Sequence, residues 1–332
     1  MTMHASERPI TQARVPGGVR RALTWFGASD VVQGSYLVVM WLVVVTSGQS
    51  AALMLSARRL ELMLLLLVGA CVLARGSSSV PAPLRSAAYR LIAVGVLVCS
   101  YLMLRDLLPA VRSGSVDAAL YAADVRLFGV EPTLAVERFI TPALTEYFAF
   151  FYFSYFTLCG LFTFGVIGIN RNPTATSEFA IGTALVHGLG YLGYVMVPAY
   201  GPVLHLDHAF QAPLQGGMFL RLVLDTVAAG GAMKDVFPSL HTAVPVWFAL
   251  FAWRRARVTR ERCWLAIAIV ISFFAFNIVC STIVLRWHYA VDVLAGLTLA
   301  SFAAWCAPRL QLFEATVRAR AGLPRAWSFK SG

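Results

Sequence analysis

The stretch Ser281-Thr282-Ile283-Val284-Leu285-Arg286-Trp287-His288-Tyr289-Ala290-Val291-Asp292-Val293-Leu294-Ala295-Gly296 decides how this chain is read. One apolar run ends at Leu285 and another opens at His288, and runs of about 20 residues cross a ~30 Å hydrocarbon core as helices. His288 and Asp292 stand four apart, so at a helix start they share a face. An aspartate four residues into an apolar span is expensive and marks function by default. Such a carboxylate holds one imidazole nitrogen protonated and leaves the other lone pair free for attack, as the orienting acid does in a catalytic triad. A buried His–Asp pair without chemistry is the alternative reading.

The rest of the chain has the same apolar character. Of its 332 residues, 59% are hydrophobic and 13% charged, with a mean hydropathy of +0.72. Soluble domains carry about 25% charged residues, so this composition describes an integral membrane protein. The net charge of +11 is nearly all arginine, since Lys234 and Lys330 are the only lysines. In a membrane protein such an excess orients the chain and meets anionic headgroups, which argues against nucleic acid as a partner. The arginine-for-lysine bias fits a GC-rich bacterial genome. Six cysteines lie in or beside apolar runs with no C-x-x-C, as small core residues do.

Eight candidate spans follow, at about 30–48, 60–74, 88–109, 143–169, 177–198, 237–253, 264–285 and 288–307; the second and sixth are short. The leader carrying Arg8, Arg14, Arg20 and Arg21 reads as a cytoplasmic tail before a retained span. Orientation comes from the Trp253–Trp264 segment, with Arg254, Arg255, Arg257, Arg260 and Arg262 against Glu261 alone, which is predicted cytoplasmic. Arg75, Arg85, Arg90, Arg171 and the C-terminal arginines then share its side, and Arg58 and Arg59 dissent. The expected organisation is a cytoplasmic tail over 1–29, two accessory helices over 30–87, a six-span catalytic core over 88–308 and a basic cytoplasmic tail over 309–332. A helix near 116–130 is predicted in the interface.

Phe237-Pro238-Ser239-Leu240-His241 opens another span on the same extracytoplasmic face. Proline at the first helical position would leave the following N–H groups free, making Ser239 part of an anion-binding helix start with His241 beside it. A capped helix whose histidine merely faces the interface is the alternative. The Gly- and Pro-rich loop Pro198–Phe237 faces both motifs and carries Tyr200, His205, His208, Arg221 and Lys234 as candidate binding residues. His187, mid-span beside Gly188, reads as a polar residue bonded between close-packed helices. His241, His288 and Asp292 lack the tight spacing of a metal site, so neither a metal nor another cofactor is expected.

The pair P-S-x-H and H-x-x-x-D resembles the type 2 phosphatidic acid phosphatase superfamily of membrane phosphotransferases. Within it the chain looks most like the branch holding the fungal inositol-phosphorylceramide synthases and their bacterial relatives. That closer likeness rests on the two histidine motifs with Gly296, on Val197-Pro198-Ala199-Tyr200-Gly201-Pro202 and on Asp124-x-x-Leu127-Phe128-Gly129. The resemblance covers about 88–308 and implies an all-α bundle of about eight transmembrane helices with a six-helix core like that of the superfamily. It implies that His288 attacks phosphorus to form a phosphohistidine, Asp292 orients it, His241 protonates the leaving oxygen, and Ser239 holds phosphoryl oxygens. The superfamily's phosphatases usually carry K-x6-R-P, absent here, and an arginine where this chain has Thr282; Arg286, Lys234 and Arg221 are the replacements nearest in sequence. That departure favours a transferase, moving inositol phosphate from a phospholipid donor to a lipid acceptor, over a hydrolase. A non-catalytic lipid-binding or transport protein is the third reading.

Overall fold

The computed structural model describes residues 16–76 and 79–329, so Arg8, Arg14 and Lys330 lie outside the described residues. These residues form thirteen helices and no strand: α1 (Gly17–Trp25), α2 (Ala28–Ser47), α3 (Ala51–Gly76), α4 (Ala82–Val111), α5 (Asp117–Phe128), α6 (Pro132–Val136), α7 (Pro142–Thr163), α8 (Pro173–Met196), α9 (Pro202–His205), α10 (Met218–Gly230), α11 (Leu240–Thr259), α12 (Arg262–Val284) and α13 (Ala290–Arg320). A π-helical turn, Phe164–Ile169, extends α7. All eight expected spans are helices, and six of them (α2, α4, α7 with its extension, α8, α12 and α13) are long and apolar enough to cross a membrane. The chain is therefore an all-α polytopic membrane bundle.

The two remaining long helices are the ones that read as short. α3 carries Arg58, Arg59 and Glu61, and Arg59 pairs with Asp106 of α4 at 2.9 Å, which offsets one of the two dissenting charges. α11 is the central helix, packed against α7, α8, α12 and α13. Its Trp247, Phe248 and Phe251 are fully buried with Phe179 of α8, so this helix meets protein where the outer spans meet lipid. The arginines that follow are not the loop expected over 253–264: α11 runs to Thr259, and only Arg260 and Glu261 separate it from α12. Arg254 pairs with buried Glu178 at 2.8 Å, and Arg255 is itself buried.

Among the described residues, helices extend into both segments read as tails. α13 continues past residue 308 to Arg320, and the chain then folds back so that Trp327 packs edge-on against Tyr89, ring centroids 5.0 Å apart. α1 sits inside the leader and packs on α3. This end of the bundle is locked by Asp30, which accepts from the Tyr89 hydroxyl (2.5 Å) and pairs with Arg75 (2.9 Å), all three buried or nearly so. Removing one partner of such a pair costs about 3–5 kcal/mol, because the other charge is left uncompensated.

At the opposite end, carboxylates close the backbone of the connecting segments. Glu146 of α7 accepts the Gly217, Phe219 and Leu220 N–H groups at 2.7, 2.6 and 3.2 Å and so caps α10. α5, the helix expected near 116–130, packs on α13 and brings its buried Asp117 and Asp124 to the same end.

Candidate active site

The two histidine motifs are joined at their helix starts. Ser239 is the N-cap of α11: its Oγ accepts the Thr242 N–H at 3.3 Å, and its carbonyl accepts the Ala243 N–H at 2.9 Å. Its own N–H donates to the Asp292 carbonyl at 3.1 Å. Gly296, one turn further along α13, lies against the same point, where a Cβ would come within 2.5 Å of the Ser239 carbonyl oxygen. Two expectations are corrected here. Pro238 precedes the cap and is not the first helical residue, because Ser239 supplies the capping acceptor. Ser239 is fully buried, with Oγ turned onto its own helix, and it is not among the cavity walls.

His288 likewise lies one residue before the α13 cap, in the turn Leu285–Tyr289. Several contacts hold that turn. Asp124 accepts the Ala290 and Val291 N–H groups at 2.7 and 2.8 Å. Asp117 accepts those of Tyr200 and Gly201 at 2.9 and 2.8 Å, together with the Tyr289 hydroxyl at 3.2 Å. Gly201, at φ 84°, occupies the left-handed region and passes so near the turn that a Cβ would reach 2.4 Å from the Trp287 carbonyl oxygen. The motif stretches around Asp124 and Tyr200 are thus the clamps of the His288 turn. Asp292 Oδ2 accepts the Tyr289 N–H at 2.9 Å and lies 3.6 Å from His288 Nδ1, beyond hydrogen-bond length. His288 Nδ1 and Asp292 Oδ1 are both buried without a partner, so a shift of less than an ångström would complete the expected pair.

A cavity of about 370 Å³ opens between these motifs. The His241 and His288 rings face each other across it with centroids 6.1 Å apart. Reacting atoms approach to about 3–3.5 Å, so both rings can reach one tetrahedral phosphorus between them. His241 stacks on Tyr152 (4.3 Å, 15°) and contacts Tyr155 (4.2 Å), and its Nε2 is buried with no partner. Burial pushes the His288 pKa down to about 4, against the opposing pull of the Asp235 carboxylate. Burial raises the Asp235 carboxyl, and the Tyr101 hydroxyl, donating at 2.9 Å, draws it partly back.

Six tyrosines, Tyr101, Tyr152, Tyr155, Tyr191, Tyr194 and Tyr200, line the cavity with Trp287 and Asp235; among the described residues no lysine or arginine does. The structure therefore keeps Tyr200 and redirects the basic candidates. Lys234 is buried and its Nζ donates to the carbonyls of Arg112, Ser113 and Gly114 at 2.9, 2.9 and 3.1 Å. Arg286 donates to Glu137 (3.0 Å) and to the Ala212 carbonyl (2.9 Å), with its guanidinium over Phe210. Arg221 is exposed, and neither it nor His205 lines the cavity. Proximity in sequence fails for these residues because Lys234 and Arg286 are buried against carbonyls and Glu137, and Arg221 turns to the exposed surface. His187 donates from Nδ1 to the Thr183 carbonyl at 2.9 Å within α8, and its ring also borders the cavity.

The sequence assigns no site role to Asp235, Asp117 or most of the tyrosines, and it marks Asp124 only as part of a motif, without its capping role. The signals were present: Tyr152 and Tyr155, like Tyr191 and Tyr194, stand three apart on one helix face, and Asp117 and Asp124 stand seven apart.

A family model described as the PAP2 superfamily matches residues 118–306, more than half of the chain. The protein belongs to the PAP2 superfamily. No curated protein and no solved structure matches the chain. The matched residues hold both histidine motifs, the capping Asp124 and the loop around Tyr200, and begin one residue after Asp117. Membership gives the coarse activity, lipid phosphatase or phosphotransferase chemistry in an integral membrane protein.

Proposed function

We propose that this PAP2-superfamily protein is a phosphotransferase that moves a phosphate-linked headgroup from a phospholipid donor to a lipid-borne hydroxyl. The observation that carries the reading is the opposed pair of His241 and His288 across a 6.1 Å gap in a buried, aromatic cavity. His288 Nδ1 faces Asp292, so Nε2 attacks phosphorus while the bond to the lipid oxygen breaks. His241 arrives protonated and passes its proton to that oxygen, releasing diacylglycerol. It then takes the proton of the acceptor hydroxyl, whose oxygen attacks phosphorus as the P–N bond breaks.

Inositol phosphate is the headgroup proposed from the motif resemblance. Its support in the cavity is chemical. The walls offer tyrosine hydroxyls and the Asp235 carboxylate, which bond to polyol hydroxyls, and no cation selects a second anionic group. The proposed location is a bacterial inner membrane with the cavity on the extracytoplasmic side, in keeping with the arginines gathered at the other end. The test is mass spectrometry of lipids formed by purified protein given phosphatidylinositol, phosphatidylcholine or phosphatidic acid, each with ceramide or diacylglycerol as acceptor. A new inositol phosphodiester, lost in His288→Ala, is expected; release of free headgroup phosphate that no acceptor diverts would make the protein a hydrolase instead.

A further inference from the structure

A second cavity, about 620 Å³, lies deeper in the bundle between α2, α4, α7 and α8. It shares Val98, Phe156, His187 and Tyr191 with the histidine cavity, so the two are adjoining chambers. From Tyr191 at this shared wall to Ala180 along α8 is eleven residues, about 16 Å at helical rise, which is close to the ~15 Å depth of one leaflet of hydrocarbon. Its far end is closed by Trp327 of the folded-back tail and by Arg90, which donates to the Ile167 carbonyl and lies over the Trp327 ring.

One side of the chamber is open. Leu91 and Val98 of α4, and Phe156 and Phe164 of α7 and its π-helical extension, line it and yet are 74, 52, 44 and 63% exposed. In a bilayer these side chains meet lipid, so the opening between α4 and α7 faces the acyl chains of the membrane. An apolar chamber of leaflet depth, open sideways to lipid and continuous at its top with a phosphoryl-transfer site, has the shape and polarity of a lipid tail site.

We propose that one acyl chain of the lipid substrate enters sideways between α4 and α7 and lodges in this chamber while its headgroup lies between His241 and His288. The accessory helix α2 thereby gains a role, as the back wall of a substrate site. This inference rests on the lipid-substrate reading above. Gly160 keeps the opening wide: it lines the chamber, and a Cβ built there meets nothing within 4 Å. The first side-chain atom at this position is therefore unobstructed, and Gly160→Phe is the change chosen to narrow the opening. Ala184→Leu, from a buried position on α8, fills the chamber from the opposite wall.

The experiment has two arms on the full chain in vesicles. In the first, a phospholipid carrying a diazirine in its acyl chain is photolysed with the wild type and both variants, and adducts are mapped by peptide mass spectrometry. Adducts concentrated around Val94 and Cys159 and reduced at least about fivefold in Gly160→Phe are expected; adducts spread evenly over the outer faces of α12 and α13, and unchanged in both variants, would overturn the proposal. The second arm compares turnover of a long-chain and a short-chain donor. A long tail shut out of the chamber stays in bilayer hydrocarbon and drags the headgroup off the two histidines, so the variants should lose roughly tenfold or more on the long-chain donor while keeping short-chain turnover. Equal loss on both donors refutes the tail site. If the wild type turns over neither donor, the transferase reading fails, and the cross-linking arm still decides the chamber.

Discussion

Asp124→Asn is the sharpest test of how the site is built, because this carboxylate touches no reacting group and acts only through the turn it caps. Its two oxygens accept the Ala290 and Val291 N–H groups at 2.7 and 2.8 Å. An asparagine oxygen keeps one of these bonds, and its amide nitrogen faces the other N–H. The loss is one charge-assisted hydrogen bond, about 1.5–3 kcal/mol, together with the favourable placement of an anion at a helix N-terminus, ~0.3–1 kcal/mol. If about 2–3 kcal/mol of that loss reaches the transition state as misplacement of His288, kcat/KM falls roughly 30- to 150-fold. The assay is initial-rate turnover of the donor lipid by purified protein, with kcat lowered and KM nearly unchanged. Hydrogen exchange supplies a second readout, since the amides of residues 290 and 291 should lose protection while those of α12 keep theirs. A variant with kcat/KM within threefold of wild type, or with unaltered exchange at 290 and 291, would refute the view that α5 positions the nucleophile.

Asp292→Asn should slow the reaction less than His288→Ala, since it disturbs orientation and leaves the nucleophile in place; equal losses from the two changes would refute an orienting role. His288 is held neutral down to about pH 4, so its lone pair is available above that and is lost below it. The acid limb of kcat/KM should therefore fall well under the ordinary imidazole value of ~6.5, and a limb centred at ~6.5 would show that His288 is not buried as described. Lys234→Met leaves three carbonyls without their donor and should cost about 3 kcal/mol of stability with no rise in KM for the donor; a raised KM in folded protein would return Lys234 to the phosphate. A cysteine introduced at Val258, near the arginine-rich end of α11, should be shielded from impermeant thiol reagents in intact cells, and free labelling there would reverse the proposed topology.

The parts of this protein that were legible in its sequence are those where hydrocarbon penalises an exception. His241 and Asp292 stand out because ionisable groups in apolar spans need a reason, and both lie where the two motifs meet. Helix existence was legible for the same cause, and the short reading of α3 and α11 has a physical basis in their arginines. Helix starts were less legible. Capping depends on partners far along the chain, such as Asp124 for α13 and Glu146 for α10, separated by 166–167 and 71–74 residues from the amides they accept. The phosphate cations were misplaced for a similar reason, since Lys234 and Arg286 are near the motifs in sequence while their donors turn to carbonyls and to Glu137. The tyrosine wall was hidden by its ordinariness, because aromatic side chains in spans are usually core.

A cavity lined by no lysine or arginine among the described residues makes water the central problem of the proposed reaction. The phosphoryl charge has to be met by the protonated His241 and by tyrosine hydroxyls, donors that gain strength where solvent is excluded. The aromatic walls supply that exclusion, and the side opening between α4 and α7 meets acyl chains and not water. Water at ~55 M outcompetes a dilute lipid hydroxyl unless the acceptor is positioned, and positioning is worth more than that ratio when the acceptor lipid is held beside the phosphohistidine. The same features that lower the affinity for a bare phosphate therefore favour an acceptor delivered by the membrane. On this argument, introducing the missing charge by Thr282→Arg, at a buried position beside the His288 turn, should raise hydrolysis relative to transfer, because an arginine brings both a cation and its water. The ratio of free headgroup phosphate to new phosphodiester, measured in one reaction by mass spectrometry, reads this directly, and a ratio unchanged in folded, active Thr282→Arg protein would show that water is excluded by something other than the dryness of the cavity.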